Sequence, residues 1–184
     1  ITPVLVAHEG GGAFMADAIS RSGAGLGTLL IVPAAGVTHA ASGIGEAFLD
    51  GIPLLIIAGG IRRDTGRAYQ LHDMDQHALL APITKGRWRV DTHAEVVPVI
   101  YEACRLAMSG EPGPVFVEIP VNLQLMTGEA GDIPDFVPLP RAGHKALPAD
   151  VTRAAELRQR AQRPGIFCGG GAVDATAELR QLAE

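Results

Sequence analysis

Leu54-Leu55-Ile56-Ile57-Ala58 contains no polar side chain. Five residues are too few for a buried helix. A strand with one face in water would alternate, and this one does not. The run therefore reads as a strand covered on both faces, as in a parallel sheet. Gly27–Val32 and Pro114–Ile119 read the same way. Helical patterns stand between these runs. Thr38–Leu49 places Ile44, Ala47 and Phe48 on one face. Thr92 caps a pattern that reaches about Met108, with Val96, Ile100, Cys104 and Met108 at i, i+4. Alternation of this kind predicts an α/β fold: a parallel sheet with helices on both faces and right-handed crossovers.

Thr2–Ala7 reads as a first strand that stops at His8-Glu9. Gly10-Gly11-Gly12 reads as a turn, and Ala13–Arg21 as a helix closed by Ser22-Gly23-Ala24-Gly25. A βαβαβ unit then occupies the first 58 residues. In open α/β sheets, ligands bind outside the carboxyl ends of strands. Glu9 sits at such an end. Its plainer reading is an acid favoured at a helix start.

Gly59–Leu80 is the least regular part and the richest in charge, with Arg62, Arg63, Asp64, Arg67, Asp73 and Asp75. A long polar loop at a strand's carboxyl end is commonly a functional one. His72 and His77 read as solvated loop residues, and no ligand spacing points to a metal. Thr84–Val90 reads as a further strand.

Bulk properties exclude several classes. Net charge is −5, which leaves no electrostatic footprint for nucleic acid. No apolar run approaches the ~20 residues that span a bilayer. Two cysteines make no disulfide framework, and a reduced, cytoplasmic setting is expected. Prolines 134, 138, 140 and 148 mark an extended linker. We therefore expect a domain over 1–127, a linker over 128–147, and the start of a second, Rossmann-like α/β domain over 148–184. That second part opens with a helix from Pro148 to about Arg163, then a strand Gly165–Cys168, then Gly169-Gly170-Gly171 and another helix. The triple glycine hints at a dinucleotide site but is not a full G-x-G-x-x-G. The chain begins without Met and ends in mid-helix, so it reads as a piece of a longer protein.

Several segments, in order, resemble one family. These are His8-Glu9, Phe14-Met15-Ala16-Asp17 and Arg21, then Ala35-Gly36-Val37-Thr38, then Gly43 to Pro53. Tyr69-Gln70, Asp75-Gln76, Pro82-Ile83-Thr84-Lys85 and Gly113-Pro114-Val115 continue the match to about residue 125. The pattern is similar to the thiamine-diphosphate-dependent 2-keto acid enzymes, the group of acetolactate synthase and benzoylformate decarboxylase.

The resemblance implies that this domain binds the aminopyrimidine of thiamine diphosphate. Glu9 would hydrogen-bond a ring nitrogen and so activate the cofactor. It further implies Ala35, Gly36 and His39 at the cofactor, and Val32, Gln70 and His72 on the substrate side. Ala34-Ala35-Gly36 stands where much of the family has Gly-Pro-Gly, and His39 where many members have Asn. The family's Mg²⁺ and diphosphate ligands would lie outside this chain, and some relatives hold FAD in the central domain. Its active site forms between two subunits, implying a homodimer or homotetramer. The implied activity is a lyase or carboligase on a 2-keto acid, acetolactate-synthase-like. A benzoylformate-type decarboxylase is the alternative within the family. Outside it stand a Rossmann-like dinucleotide-binding module and a non-catalytic subunit that supplies only the pyrimidine half.

Overall fold

The structure is a computed structural model that describes residues 2–67, 69–139 and 146–184. It divides into two compact units, Ile1–Ala142 and Gly143–Glu184. The first unit runs α1 (Glu9–Arg21), β1 (Gly27–Ile31), α2 (Ala35–Leu49), β2 (Leu54–Gly60), α3 (Gln76–Leu80), β3 (Gly86–Arg89), α4 (Val96–Ala107), β4 (Pro114–Pro120) and α5 (Val121–Leu125). The four strands form one parallel sheet in the order β1-β2-β4-β3. The α/β class and the wholly parallel sheet are as expected.

Each face of the sheet carries its own core. Leu54, Ile56 and Phe116 point to the side of α1 and α2, where Ala13, Val37, Ala40 and Ile44 meet them. Leu55, Val115 and Val117 point to the opposite side, where Ala103, Ala107 and Trp88 close over them. The central strands β2 and β4 are covered twice, which is why their sequences are nearly all apolar.

Three expectations need correction. Thr2–Ala7 is not a strand. It runs irregularly past α1, with Val4 and Leu5 exposed, and a cavity of about 240 Å³ lies between it and Leu30–Val32 of the β1 end. Among the described residues β1 pairs only with β2. The βαβαβ unit therefore lacks its first strand and starts with α1. Second, β1 is not buried on both faces: Gly27, Leu29 and Ile31 are buried, but Thr28 and Leu30 are exposed. It is an edge strand, and α4 packs on β3, β4 and β2 instead. Third, Gly165–Cys168 forms no strand, and Phe167 is fully exposed. The second unit offers no neighbouring strand among its described residues, only α6 (Pro148–Arg160), a 3₁₀ segment Gly170–Ala175 and α7 (Thr176–Ala183).

Of the expected linker 128–147, residues 140–145, including Pro140, lie outside the described residues. Its first part lies along α4. Phe136 meets the edge of Tyr101 with ring centroids 5.1 Å apart, and Arg105 Nε donates to the Val137 carbonyl at 2.8 Å.

Candidate functional site

The N-terminus of α1 is built by one histidine and two tightly packed glycines. His8 is the N-cap, in extended backbone (φ −150°, ψ 131°), and its Nδ1 accepts the Gly10 N–H at 3.1 Å. That bond leaves the His8 ring proton on Nε2. Glu9 is the first residue of the helix, not the last of a strand, and its carboxylate faces the positive end of the helix dipole. Gly10, Gly11 and Gly12 lie within the helix, where the sequence suggested a turn because glycine is a poor helix former. Packing explains the choice. A Cβ on Gly10 would stand 3.0 Å from the His39 carbonyl, and one on Gly12 3.0 Å from Leu29 Cδ1. From α2, a Cβ on Gly43 would stand 2.7 Å from the Ala13 Cβ. Small residues let α1 and α2 close on each other.

That closeness brings α2 to Glu9. His39 Nδ1 lies 3.1 Å from Glu9 Oε2, across 30 residues of sequence. The His39 ring stacks on His8, with centroids 4.9 Å apart. The Glu9 carboxyl is held below its ordinary value, first by its own backbone N–H and then by His39. Glu9 is thus ionised at neutral pH and accepts a hydrogen bond from His39 Nδ1–H. Gly36, one turn earlier in α2, makes the cradle: a Cβ there would meet Val32 Cγ2 at 2.8 Å and Glu9 Oε1 at 3.5 Å. Ala35, the first residue of α2, is exposed beside it.

The other expected residues gather elsewhere. Val32, Gln70 and His72 line a cavity of about 760 Å³ between the β1 and β2 ends and the loop after β2. Gln70 Nε2 donates to the Arg62 carbonyl at 2.7 Å, and His72 is exposed with a positive φ of 68°. Leu30, Ile31 and Val32 line this cavity as well as the smaller one beside Glu9. Two neighbouring hollows therefore share one wall, with the carboxylate in one and the polar loop in the other.

Residues 1–79 match the family described as "Thiamine pyrophosphate enzyme, N-terminal TPP binding domain". Over that stretch the chain is similar to the N-terminal domain of the thiamine pyrophosphate enzymes. It is 32% identical to an acetolactate synthase of Arthrospira platensis over 191 residues, covering 98% of this chain and 32% of that protein. It is 31% identical to the acetolactate synthase isozyme 1 large subunit of Escherichia coli (strain K12) over 188 residues, covering 100% of this chain and 33% of that protein. The chain thus spans about a third of the length of these curated relatives.

The groups around Glu9 are compatible with such a cofactor. Glu9 presents a carboxylate fixed by His39, Leu30–Val32 form an apolar wall beside it, and a Cβ on Gly36 would lie 3.5 Å from Glu9 Oε1.

The structure also reveals a buried polar cluster that the sequence did not announce. His77 is not a solvated loop residue. It lies on α3, its ring edge-on to Phe116, with Nε2 3.3 Å from Glu118 Oε2. Glu118, on β4, is 4% exposed and also receives Arg89 Nε at 3.0 Å and Gln76 Nε2 at 3.0 Å. Burial pushes the Glu118 carboxyl up, but His77, Gln76 and Arg89 overcome it and bring it down to about 2. One signal was available: a lone charge inside the apolar run Pro114–Pro120 implies a buried partner.

Proposed function

We propose that this chain is the pyrimidine-binding part of a thiamine-diphosphate-dependent lyase or carboligase acting on a 2-keto acid, similar to acetolactate synthase. In this reading residues 1–127 are the pyrimidine domain, 128–147 the linker and 148–184 the opening of a central domain. The observation that carries it is the Glu9 carboxylate at the α1 N-terminus, tied to His39 through Oε2 and facing the Gly36 gap with Oε1. An ionised carboxylate there can accept a proton or a hydrogen bond from a bound pyrimidine. His39 fixes the carboxylate's orientation, and Ala35 and Gly36 leave room for the ring. Leu30–Val32 give that side an apolar wall.

Thiamine diphosphate, when bound, supplies the carbanion chemistry at its C2. The larger cavity with Val32, Gln70 and His72 is assigned to the keto acid. Mg²⁺ and the diphosphate are assigned to residues outside this chain, as is any FAD. The second half of the site belongs to a partner subunit, so the complete protein is a homodimer or homotetramer. A cytoplasmic setting fits the two free thiols, Cys104 and Cys168. Among the described residues no helix is long and apolar enough to cross a membrane.

The test is deuterium exchange at the thiamine C2 in the complete protein loaded with thiamine diphosphate and Mg²⁺. Glu9→Gln is expected to slow exchange by about a hundredfold or more. Unchanged exchange removes Glu9 from activation and this reading with it.

A further inference from the structure

The turn before α2 is strained. Ala34, the N-cap of α2, has φ 54° and ψ −91°, and no side chain caps the helix there. Non-glycine residues seldom adopt positive φ, and such strain persists only where surroundings impose it. One side chain does so. Gln76, 2% exposed, accepts the Ala34 N–H on Oε1 at 3.0 Å. Its Nε2 donates to the Gly59 carbonyl at 2.9 Å and to Glu118 Oε2 at 3.0 Å. An ionised carboxylate only accepts, so Glu118 dictates which end of the amide faces it. That leaves Oε1 for Ala34. Arg89 and His77 in turn hold Glu118.

A chain of contacts thus runs from the sheet interior to the candidate site. Glu118 orients Gln76, Gln76 holds Ala34, and Ala34 begins the helix that carries Gly36 and His39 to Glu9. We propose that Gln76 is a positioning residue of the cofactor site: it keeps the Ala34 turn at positive φ and so keeps Gly36 and His39 in place beside Glu9. The proposal rests on the reading of Glu9 given above. Gln76 touches neither Glu9 nor the gap in front of it, and acts only through the turn.

The experiment uses the complete protein with Gln76→Ala, and the double variant Ala34→Gly/Gln76→Ala. Two measurements are made. Hydrogen-exchange mass spectrometry follows peptides over 33–37 in cofactor-free protein. Fluorescence titration with Mg²⁺ gives the thiamine diphosphate Kd. Gln76→Ala is expected to speed exchange at Ala34 and weaken thiamine diphosphate by about tenfold, the scale of one lost hydrogen bond. The double variant should regain Kd to within about threefold of wild type, because glycine takes positive φ without a clamp. A general packing defect would show no such rescue.

Folded Gln76→Ala protein with unchanged exchange at Ala34, or with unchanged Kd, overturns the proposal, as does a double variant that stays weak. If Gln76→Ala does not fold, Gln76→Asn replaces it. Asparagine can keep Glu118 but is one methylene too short to reach Ala34 as well, and the same outcomes apply. Failure of the functional reading is separate: Glu9→Gln would then leave C2 exchange unchanged, while exchange at Ala34 still reports on the clamp.

Discussion

His39 Nδ1 stands 3.1 Å from Glu9 Oε2, joining the second turn of α2 to the first residue of α1. Thirty residues separate the two in sequence. Glycines 10 and 43 at the helix contact make the approach close enough. The pair gives the carboxylate a fixed direction and a donor. His8, stacked on His39, limits where that ring can go.

The first consequence concerns charge. His39 is the second contributor, after the Glu9 backbone N–H, to the lowered Glu9 carboxyl. His39→Ala should therefore move the Glu9 titration up toward its ordinary range without restoring it fully. A ¹³C NMR titration of the Glu9 carboxyl reads this directly. An unmoved midpoint would show that His39 does not act on Glu9.

Gly36→Ala tests the gap beside Glu9. The new Cβ would press on Val32 Cγ2 at 2.8 Å, a movable side-chain end, and only touch Glu9. Stability should fall by about 1 kcal/mol, measured by urea unfolding. Thiamine diphosphate binding should fall further than stability does, since the methyl occupies the cradle. Adding Val32→Ala should recover stability but not binding.

Gly27→Ala is expected to be far worse for the fold. Its Cβ would lie 1.9 Å from the Ala16 carbonyl oxygen and 2.6 Å from the carbonyl carbon. Both are backbone, and neither can rotate away. The Gly27 N–H also donates to Ser20 Oγ at 2.8 Å, so α1 and β1 are locked together at this point. We expect a loss of about 3 kcal/mol or more, read as a lower urea midpoint.

Glu118 sets an acid limit on stability. Its carboxyl falls from an ordinary 4.5 to about 2 in the folded chain. A group depressed on folding stabilises fully above its unfolded value and loses that contribution as pH falls through its folded value. Urea unfolding should thus show stability declining from about pH 4.5 toward pH 2. Glu118→Gln should be less stable at pH 7 and should show a flatter decline across that window.

Much of the architecture was legible in short stretches of sequence. Leu54–Ala58 and Pro114–Ile119 are strands because an apolar run, unbroken in the first and broken only by Glu118 in the second, has to be covered on both sides. The α2 and α4 helices follow from their apolar periodicity, within a few residues at each end. His8-Glu9 before the glycines lies at the α1 N-terminus, where His39 and Gly36 approach it. The same local logic misjudged Thr2–Ala7, Gly10–Gly12 and His77. An apolar run becomes a strand only if a neighbour offers its edge. Glycine stays in a helix when another backbone needs its space. A histidine is solvated only if nothing folds over it.

The sequence by itself determined which segments are apolar enough to be buried and at what period, because burial preference is a property of each residue and its near neighbours. Only the tertiary structure decided the order β1-β2-β4-β3, the Glu9–His39 pair and the path from Glu118 through Gln76 to Ala34. Those contacts join residues 30 to 42 positions apart. Their hydrogen bonds depend on distances of a few tenths of an ångström, which the packing of whole helices on the sheet sets and no local pattern encodes.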